Sequence, residues 1–357
     1  MTTDESAANA CADTQTPLLT FCIPTYNRAA SVHRLVMSIL AEPDGDIQIV
    51  VLDNGSTDDT LVRLGEIKDA RLEVRSNGHN RGALFNMVNV LSHGRGRYVV
   101  YTTDQDRTNV DVIPAFKAFL LANPEVSCGY CVFESQPGQG DEFFSKGYEA
   151  VRALAYTGRH PTGYFFRNED LRSIHLVERF SDFDVVDLFP LEFAFGEIAL
   201  MGRGAIYHGR LFAPNTGSEV VSHKSATTNG ASKTAFFAPQ AKLKLAISFS
   251  RHIRQLPLSA GEKSMLAANV FLREVRGATA GFKAVMGNER LCIHYRMEPR
   301  RVGRLEMMKT GLVFSGRYFK AMFANDIGAV LPFVGCLLKT TFGKLSRGPG
   351  VQPDLRH

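Results

Sequence analysis

The chain has 357 residues, of which 45% are hydrophobic and 22% are charged, and it carries a net charge of +5. This length is enough for one large domain with an appendage, and the six irregularly spaced cysteines exclude a disulfide framework. Cys128 and Cys131 form a C-x-x-C pair inside an apolar run, which indicates buried thiols and a reducing compartment. The segment from Arg296 to the end contains eleven Lys and Arg but only four Asp and Glu, so the excess positive charge lies in the C-terminal tail. No nucleic-acid-binding motif accompanies it, and no nucleic acid partner is expected.

The N-terminal half alternates strand and helix patterns. Residues 1–16 are polar and acidic, which predicts a disordered leader. Residues 17–212 then form the predicted main domain. Its first strands are predicted at 18–24, 47–53, 72–77, 98–103 and 126–133, and the helices between them at 30–41, 58–68, 83–92 and 111–122. Near-continuous apolar strands alternating with helices predict an α/β fold with a mostly parallel sheet covered on both faces.

The second half changes character. An aromatic strand-to-helix corner is predicted at 161–171, a helix at 187–202 and a final strand after it. Residues 213–235 are rich in Gly, Ser and Thr, which predicts a lid or linker. Residues 236–357 are predicted to be a helical C-terminal extension. Its apolar run 327–338 is too short to span a bilayer, which takes ~20 residues, and it is predicted either to lie on an anionic membrane surface or to dock on the core.

Polar clusters follow the predicted strands where they end, which is where open α/β sheets bind ligands. The most specific is Thr103-Asp104-Gln105-Asp106, because two carboxylates at i and i+2 on a turn can converge on one hard cation beside substrate phosphates. The sequence PTYNR closes the first strand, and Asp53-Asn54 closes the second. Arg81, at a helix start, is placed to meet phosphate.

These four elements, in this order, resemble the inverting family-2 glycosyltransferases of the GT-A fold, most closely over residues 18–125 and more weakly to about 212. The resemblance implies a Rossmann-like GT-A domain that binds a nucleotide-sugar and a divalent cation, Mn²⁺ or Mg²⁺. It implies that Asp106 is the metal ligand and that Asp104 is a second candidate to bind the metal. It also implies that the nucleotide is contacted by Pro24, Thr25, Tyr26, Arg28, Asp53, Asn54, Arg81 and Asp104.

The resemblance further implies a carboxylate base on a helix after the aromatic corner. Three acids in the predicted helix 187–202 are candidates, with Glu192 first, Glu197 second and Asp187 third. Tyr164 and Phe165 are candidates for stacking on an acceptor sugar, although core packing is the alternative for both. His208 and His223 are candidates for a further metal ligand, because imidazole binds many metals.

The expected activity is metal-assisted transfer of a sugar, with inversion, from a nucleotide-diphosphate sugar to a saccharide or lipid-linked saccharide. A UDP-sugar is the favoured donor, and cell-surface polysaccharide synthesis is the expected context. The expected location is cytoplasmic, with membrane-surface contact through the basic tail. The alternative is a non-catalytic carbohydrate-binding or scaffold protein with the same fold. A dinucleotide-dependent oxidoreductase is disfavoured, because its G-x-G-x-x-G after the first strand is replaced by PTYNRAA.

Overall fold

The structure, a computed structural model, describes residues 16–133, 139–179, 189–213, 237–294, 298–324 and 327–345. The predicted leader at 1–16 and the predicted lid or linker at 213–235 therefore fall almost entirely outside the described residues. The predicted base candidate Asp187 and the predicted ligand His223 also lie outside them.

An eight-stranded sheet forms the centre of the N-terminal domain. In spatial order its strands are β3 (Leu72–Ser76), β2 (Ile47–Asp53), β1 (Leu19–Thr25), β4 (Tyr98–Tyr101), β8 (Tyr164–Arg167), β6 (Val126–Cys131), β9 (Arg203–Tyr207) and β7 (Glu142–Phe144). The first four are parallel, β6 and β9 are parallel to each other, and β8 and β7 run antiparallel to their neighbours. A small antiparallel pair joins β5 (Arg107–Thr108) to β10 (Phe212–Ala213).

Helices cover both faces of this sheet. They are α1 (Ala29–Leu40), α2 (Thr60–Gly65), α3 (Ala83–Ser92), a 3₁₀ turn (Val110–Val112), α4 (Ile113–Ala122), α5 (Tyr148–Leu154), α6 (Asn168–Ser173) and α7 (Pro190–Ile198). Successive strand residues point to opposite faces, so Phe21 packs in the core with α1 and α4 while Cys22 packs in the core with α3, α5 and α7. Both faces are therefore buried, which is why the strands have near-continuous apolar sequences.

The C-terminal region is helical. It comprises α8 (Pro239–Gln255), α9 (Ala260–Arg276), a π-helical turn (Gly277–Gly281), α10 (Phe282–Met286), α11 (Glu289–His294), α12 (Arg304–Phe323), a 3₁₀ turn (Ile327–Ala329) and α13 (Val330–Leu345). α9 begins with a capping box in which Ser259 and Glu262 satisfy each other's backbone N–H groups. These helices extend the core that contains α3, α5 and α7.

The apolar run 327–338 was predicted either to lie on a membrane or to dock on the core. Phe333 is 2% exposed and packs against Phe271 and Tyr318, at ring-centroid distances of 5.9 Å in both cases. Core docking is therefore the arrangement found at this residue. Within the described ranges, we find no helix whose length and hydropathy would let it traverse a bilayer.

The predicted α/β sheet with a helical extension is confirmed, and most predicted elements lie within a few residues of those observed. Two differences matter for the site. The predicted helix 187–202 is described only from Pro190 and ends at Ile198. The aromatic strand β8 inserts antiparallel between β4 and β6, an order that the sequence does not predict. Cys128 and Cys131 are buried free thiols, as predicted, and burial raises the pKa of both.

Candidate functional site

The first part of the candidate site lies where β1 and β2 end. Thr25 and Asp53, the last residues of the two parallel strands, are paired in register. The Asp53 carboxylate is fully buried and accepts hydrogen bonds from the backbone N–H groups of Gly55 and Ser56 and from the hydroxyl of Ser76. Asp53 therefore organises the turn after β2. A nucleotide base would have to compete with these donors to form a hydrogen bond with the Asp53 carboxylate.

Asn54, the next residue, joins this turn to the start of α3. Its amide oxygen accepts from the Asn77 side chain and from the Arg81 backbone N–H, both at 3.0 Å, and its amide nitrogen donates to Asn80 at 2.9 Å. The Arg81 guanidinium lies 3.6 Å from the centre of the Phe85 ring. Asn54 thus fixes the segment in which Arg81 lies, while the Arg81 side chain stacks on Phe85 of α3.

A cavity of about 140 Å³ opens between these strand ends and α3. Its polar lining includes the backbone turn of the PTYNR motif, the amides of Asn54 and Asn86, and one carboxylate, that of Asp104. The predicted nucleotide-binding residues that border this cavity are Pro24, Thr25, Tyr26, Arg28, Asn54 and Asp104. The structure therefore brings six of the eight predicted nucleotide contacts together around the cavity. Asp53 and Arg81 do not line the cavity and instead belong to the adjacent turns.

Asp104 is held by the PTYNR motif. One carboxylate oxygen accepts from the Thr25 hydroxyl at 2.8 Å, and the other pairs with the Arg28 guanidinium at 2.6 Å. The side chain is only 2% exposed, and this burial raises the pKa of Asp104 even though Arg28 and Thr25 stabilise the charged form. The prediction that the turn after β4 stands beside the ends of β1 and β2 agrees with this contact.

Asp106 faces a different set of groups. Its carboxylate accepts from the hydroxyls of Thr103 and Thr162, and His160 Nδ1 lies 3.7 Å from it. These contacts from described residues fall on Oδ2, so Oδ1 is the oxygen that an incoming cation can bind. Asp104 and Asp106 also border a second cavity of about 640 Å³, on the side of α1. There is therefore room for an ion and phosphates beside Asp106, although Asp104 is committed to Arg28.

The donor set suits a hard divalent cation only in part. Carboxylate oxygens at i and i+2 are the ligands that Mg²⁺ prefers, and Mg²⁺ commonly takes one or two of them and completes its shell with substrate phosphates and water. Among the residues that the structure describes, no cluster of three or more His, Cys, Asp or Glu side chains is arranged to hold a metal ion. The residues present thus fit a cation that arrives with a diphosphate rather than a resident metal held by the protein alone.

The loop 155–163, which precedes β8, contacts both Asp106 and the predicted base Glu192. Because β8 lies beside β4, Thr162 and Gly163 run alongside the chain that leads to Asp106, and the Thr103 backbone donates to the Thr162 hydroxyl at 2.9 Å. Gly163 has φ +104°, and a Cβ there would lie 2.5 Å from the Cys131 carbonyl oxygen. A glycine is therefore required at this crossing.

Glu192, the first base candidate, is fully buried and serves as an acceptor for this loop. Its carboxylate receives the backbone N–H groups of Thr157 at 2.9 Å, Gly158 at 2.7 Å and Arg159 at 3.2 Å. It also receives the hydroxyls of Thr157 and Tyr164. Five donors occupy the carboxylate, so accepting a substrate proton would require it to release part of the loop.

Glu197, the second candidate, belongs to a separate network. It forms a two-pronged pair with Arg179, with both distances 2.9 Å, and accepts from His252 Nε2 at 2.9 Å. Burial alone would raise its pKa, but the hydrogen bonds from His252 and Arg179 outweigh that effect and lower the pKa of Glu197 to about 2. A carboxylate with so low a pKa is a weak proton acceptor near neutral pH.

The predicted acceptor-stacking residues lie in the core. Tyr164 is 1% exposed and stacks on Phe195 at 4.5 Å, and its hydroxyl is the one that reaches Glu192. Phe165 is fully buried on the opposite face, edge-on to Phe116 at 5.4 Å. Because the two residues are adjacent on β8, they point to opposite faces of the sheet, and neither ring is accessible to a sugar. Core packing, the alternative interpretation, is what the structure shows.

His208, a predicted further metal ligand, pairs through Nε2 with Glu142 at 2.9 Å. Besides Thr103 of the same turn, His160 and Thr162 lie beside Asp106, and neither is among the residues predicted from the sequence. They are 54 and 56 positions away along the chain, and they arrive because β8 inserts beside β4 in the antiparallel sense. The signal in the sequence is the short polar segment RHPTG, residues 159–163, just before an aromatic strand.

Comparisons with known proteins agree with this architecture. The family model described as glycosyl transferase family 2 matches residues 20–185. Among relatives, a UDP-Glc:alpha-D-GlcNAc-diphosphoundecaprenol beta-1,3-glucosyltransferase of Escherichia coli is 30% identical over 25% of this chain and 36% of its own length. A GalNAc(5)-diNAcBac-PP-undecaprenol beta-1,3-glucosyltransferase of Campylobacter jejuni is 26% identical over 37% of this chain and 44% of its own length. This chain thus spans less than half the length of these two relatives.

Among solved structures, S. aureus TarS 1-349 in complex with UDP-GlcNAc superposes with a TM-score of 0.56 at 14% identity, covering 95% of this chain and 94% of that one. At this identity the likeness shows a shared fold alone. The family match covers the whole lining of the first cavity and both carboxylates, whereas Arg210, Phe212 and Ala213 of the second cavity lie beyond it. The similarity to glycosyl transferase family 2 thus spans residues 20–185, a little under half of the chain.

Proposed function

We propose that the protein is a glycosyltransferase that transfers a sugar from a nucleotide-diphosphate sugar, with a UDP-sugar as the favoured donor. One observation carries the proposal. The cavity at the ends of β1 and β2 is bordered by Asp104, and Asp104 also borders the second cavity beside Asp106. A nucleoside in the first cavity would therefore direct its diphosphate toward the carboxylate pair, as the edge location of sites in α/β sheets leads one to expect.

Asp106, through Oδ1, and the backbone turn around it would hold Mn²⁺ or Mg²⁺ together with the donor. The ion supplies charge stabilisation for the departing diphosphate, an effect worth several kcal/mol. Arg28, now paired with Asp104, is a further cation within reach of the same region, and guanidinium groups bind phosphate well. The acceptor hydroxyl would attack from the opposite side of the sugar, in a single displacement that inverts the anomeric centre.

Glu192, Glu197 and Asp187 are the three candidates for the base. Glu192 is occupied by five donors, and Glu197 is paired with Arg179, so we propose testing Asp187 first. Asp187→Asn should lower turnover by on the order of a hundredfold or more if it removes the acceptor proton. Asp184→Asn, three residues earlier, is the matched control. Loss of turnover in the control alone would contradict the assignment to Asp187.

The acceptor is proposed to be a saccharide or a lipid-linked saccharide used in cell-surface polysaccharide synthesis. The names of the two bacterial relatives specify diphosphoundecaprenol-linked acceptors, which supports this class. A position at the cytoplasmic face of the plasma membrane would follow from such an acceptor. The alternative, a scaffold protein that has kept the fold, is favoured by one observation: Asp104 is committed to Arg28 in a buried ion pair.

The decisive test is release of nucleoside diphosphate from a panel of nucleotide-sugars, with and without Mn²⁺. Asp106→Ala should lower metal-dependent turnover by on the order of a hundredfold or more. Asp111→Ala removes an exposed acid in the same segment and should leave turnover unchanged. Thermal stabilisation by each nucleotide identifies the donor independently of turnover. Metal-independent stabilisation without any turnover would favour the scaffold alternative.

A further inference from the structure

Three large apolar side chains lie side by side on the surface of α12. Leu305, Met308 and Leu312 are 79%, 65% and 74% exposed, respectively. Their spacing of three and four residues places them within about 60° of one another around the helix. We call these three residues the α12 stripe. The same helix is anchored on its other side by Phe314 and Tyr318, which are buried, so the stripe belongs to a fixed surface rather than to a loose end.

Basic side chains border the stripe on both edges. By the 3.6-residue repeat, Arg304 falls about 70° to one side of its centre and Lys309 about 70° to the other, and both are exposed. Glu306 is the only acidic residue of the helix, and it points away from the stripe and pairs with Arg300 at 2.6 and 3.0 Å. The surface is therefore an apolar strip with a cationic rim.

This pattern fits one kind of partner best. At the surface of an anionic bilayer, leucine and methionine side chains enter the boundary between headgroups and acyl chains, while long basic side chains reach the phosphate level. A second copy of the chain would bring the two cationic rims together, and like charges oppose such an interface. The positive excess of the chain after Arg296 has the same sign as the rim.

We propose that the α12 stripe docks the protein on an anionic membrane surface. Leu305, Met308 and Leu312 enter the interface, and Arg304 and Lys309 contact lipid phosphates. This places the predicted membrane contact on a helix that the sequence did not single out. In the apolar run 327–338, Phe333 is buried, whereas Leu331 is 81% exposed and has no basic neighbour on either side in the sequence. The inference rests on the proposed function in one respect: it names the surface by which the enzyme would reach a lipid-linked acceptor.

The test uses the full chain and vesicles of phosphatidylcholine with and without phosphatidylglycerol, in a cosedimentation assay. We expect binding only when phosphatidylglycerol is present, and weaker binding as salt rises. Replacing all three stripe residues with Ser should reduce binding at least ~tenfold. The double variant Arg304→Glu, Lys309→Glu should abolish the preference for the anionic vesicles. Val62→Ser, a 64% exposed apolar residue on α2, is the matched control and should bind as the wild type does.

All these substitutions are at exposed positions, and thermal unfolding of each variant verifies that it folds. Unchanged vesicle binding by the folded triple variant would overturn the proposal. A wild-type dimer that the triple variant converts to a monomer, with no vesicle binding by either, would overturn it in favour of self-association. Nucleotide-sugar turnover in solution is measured in parallel. If turnover fails while vesicle binding behaves as expected, the proposed function fails and the docking surface stands.

Discussion

Glu192 gives the sharpest prediction, because its contacts are distributed unevenly over its two oxygens. Four of the five donors reach Oε1, and only the Thr157 backbone N–H reaches Oε2. In Glu192→Gln, an amide oxygen at the Oε1 position can keep those four contacts, and the amide nitrogen then faces one N–H group. We expect a loss of about 2 kcal/mol in the free energy of unfolding, the usual cost of one hydrogen bond to a charged group. Glu192→Ala removes all five contacts and leaves buried donors unsatisfied, so its loss should exceed about 4 kcal/mol.

Urea unfolding followed by circular dichroism measures both values, and nucleotide-sugar turnover is measured on the same samples. If Glu192 anchors the loop 155–163, the Gln variant should keep most of its turnover at temperatures where it is folded. A Gln variant with wild-type stability that has lost turnover a hundredfold or more would refute the anchoring role. That result would instead identify Glu192 as the proton acceptor. Phe193→Leu, a change on the same helix that conserves its apolar character, is the control for nonspecific perturbation of α7.

Three further predictions follow from other contacts. Arg28→Ala leaves the buried Asp104 carboxylate without its cation, so we expect the free energy of unfolding to fall by about 3 kcal/mol. Nucleotide binding, measured by thermal shift, should also be weaker. Unchanged values in both measurements would contradict the importance of the ion pair. Gly163→Ala forces a Cβ against the Cys131 carbonyl at a residue with positive φ. We expect the free energy of unfolding, measured in urea, to fall by more than about 1 kcal/mol. An unchanged urea midpoint would mean that the backbone at residue 163 moves to accommodate the methyl group. The pKa of Glu197 is lowered from 4.5 to about 2. The wild type should therefore be more stable to unfolding than Glu197→Gln by about 3 kcal/mol above pH 4.5, and this difference should vanish as the pH falls toward 2. A stability difference that does not change with pH would refute the role of the ionised carboxylate.

The sheet was predictable because local pattern and global position agree there. The strands β1, β2 and β4 are apolar, short and separated by helical sequences, and each ends in polar residues that the parallel arrangement must bring to one edge. The contact between Thr25 and Asp104, 79 residues apart, follows from that rule alone. The identification of Asp104 as a member of the candidate site thus needed no knowledge of side-chain packing.

The rest of the site was not predictable, for a physical reason that β8 illustrates. An antiparallel strand can insert at several places in a sheet at similar cost, and the sequence of β8, YFFR, would suit any buried position. Its actual place decides that Thr162 meets Asp106 and that Tyr164 points inward to Glu192. Tyr164 and Phe165, the predicted acceptor-stacking residues, are buried on opposite faces of the sheet because of this insertion.

The loop 155–163 couples two carboxylates of the candidate site. Its first part is held by Glu192 on α7, and its last part holds Asp106 through the Thr162 hydroxyl. Glu192 and Asp106 are therefore connected through the backbone of residues 157–162. A substitution at Glu192 that releases the loop would also displace the partners of Asp106, and turnover would fall without any loss of a base. Turnover alone therefore cannot assign the base in this protein, and the folding free energy and the metal dependence of each variant have to be measured with it.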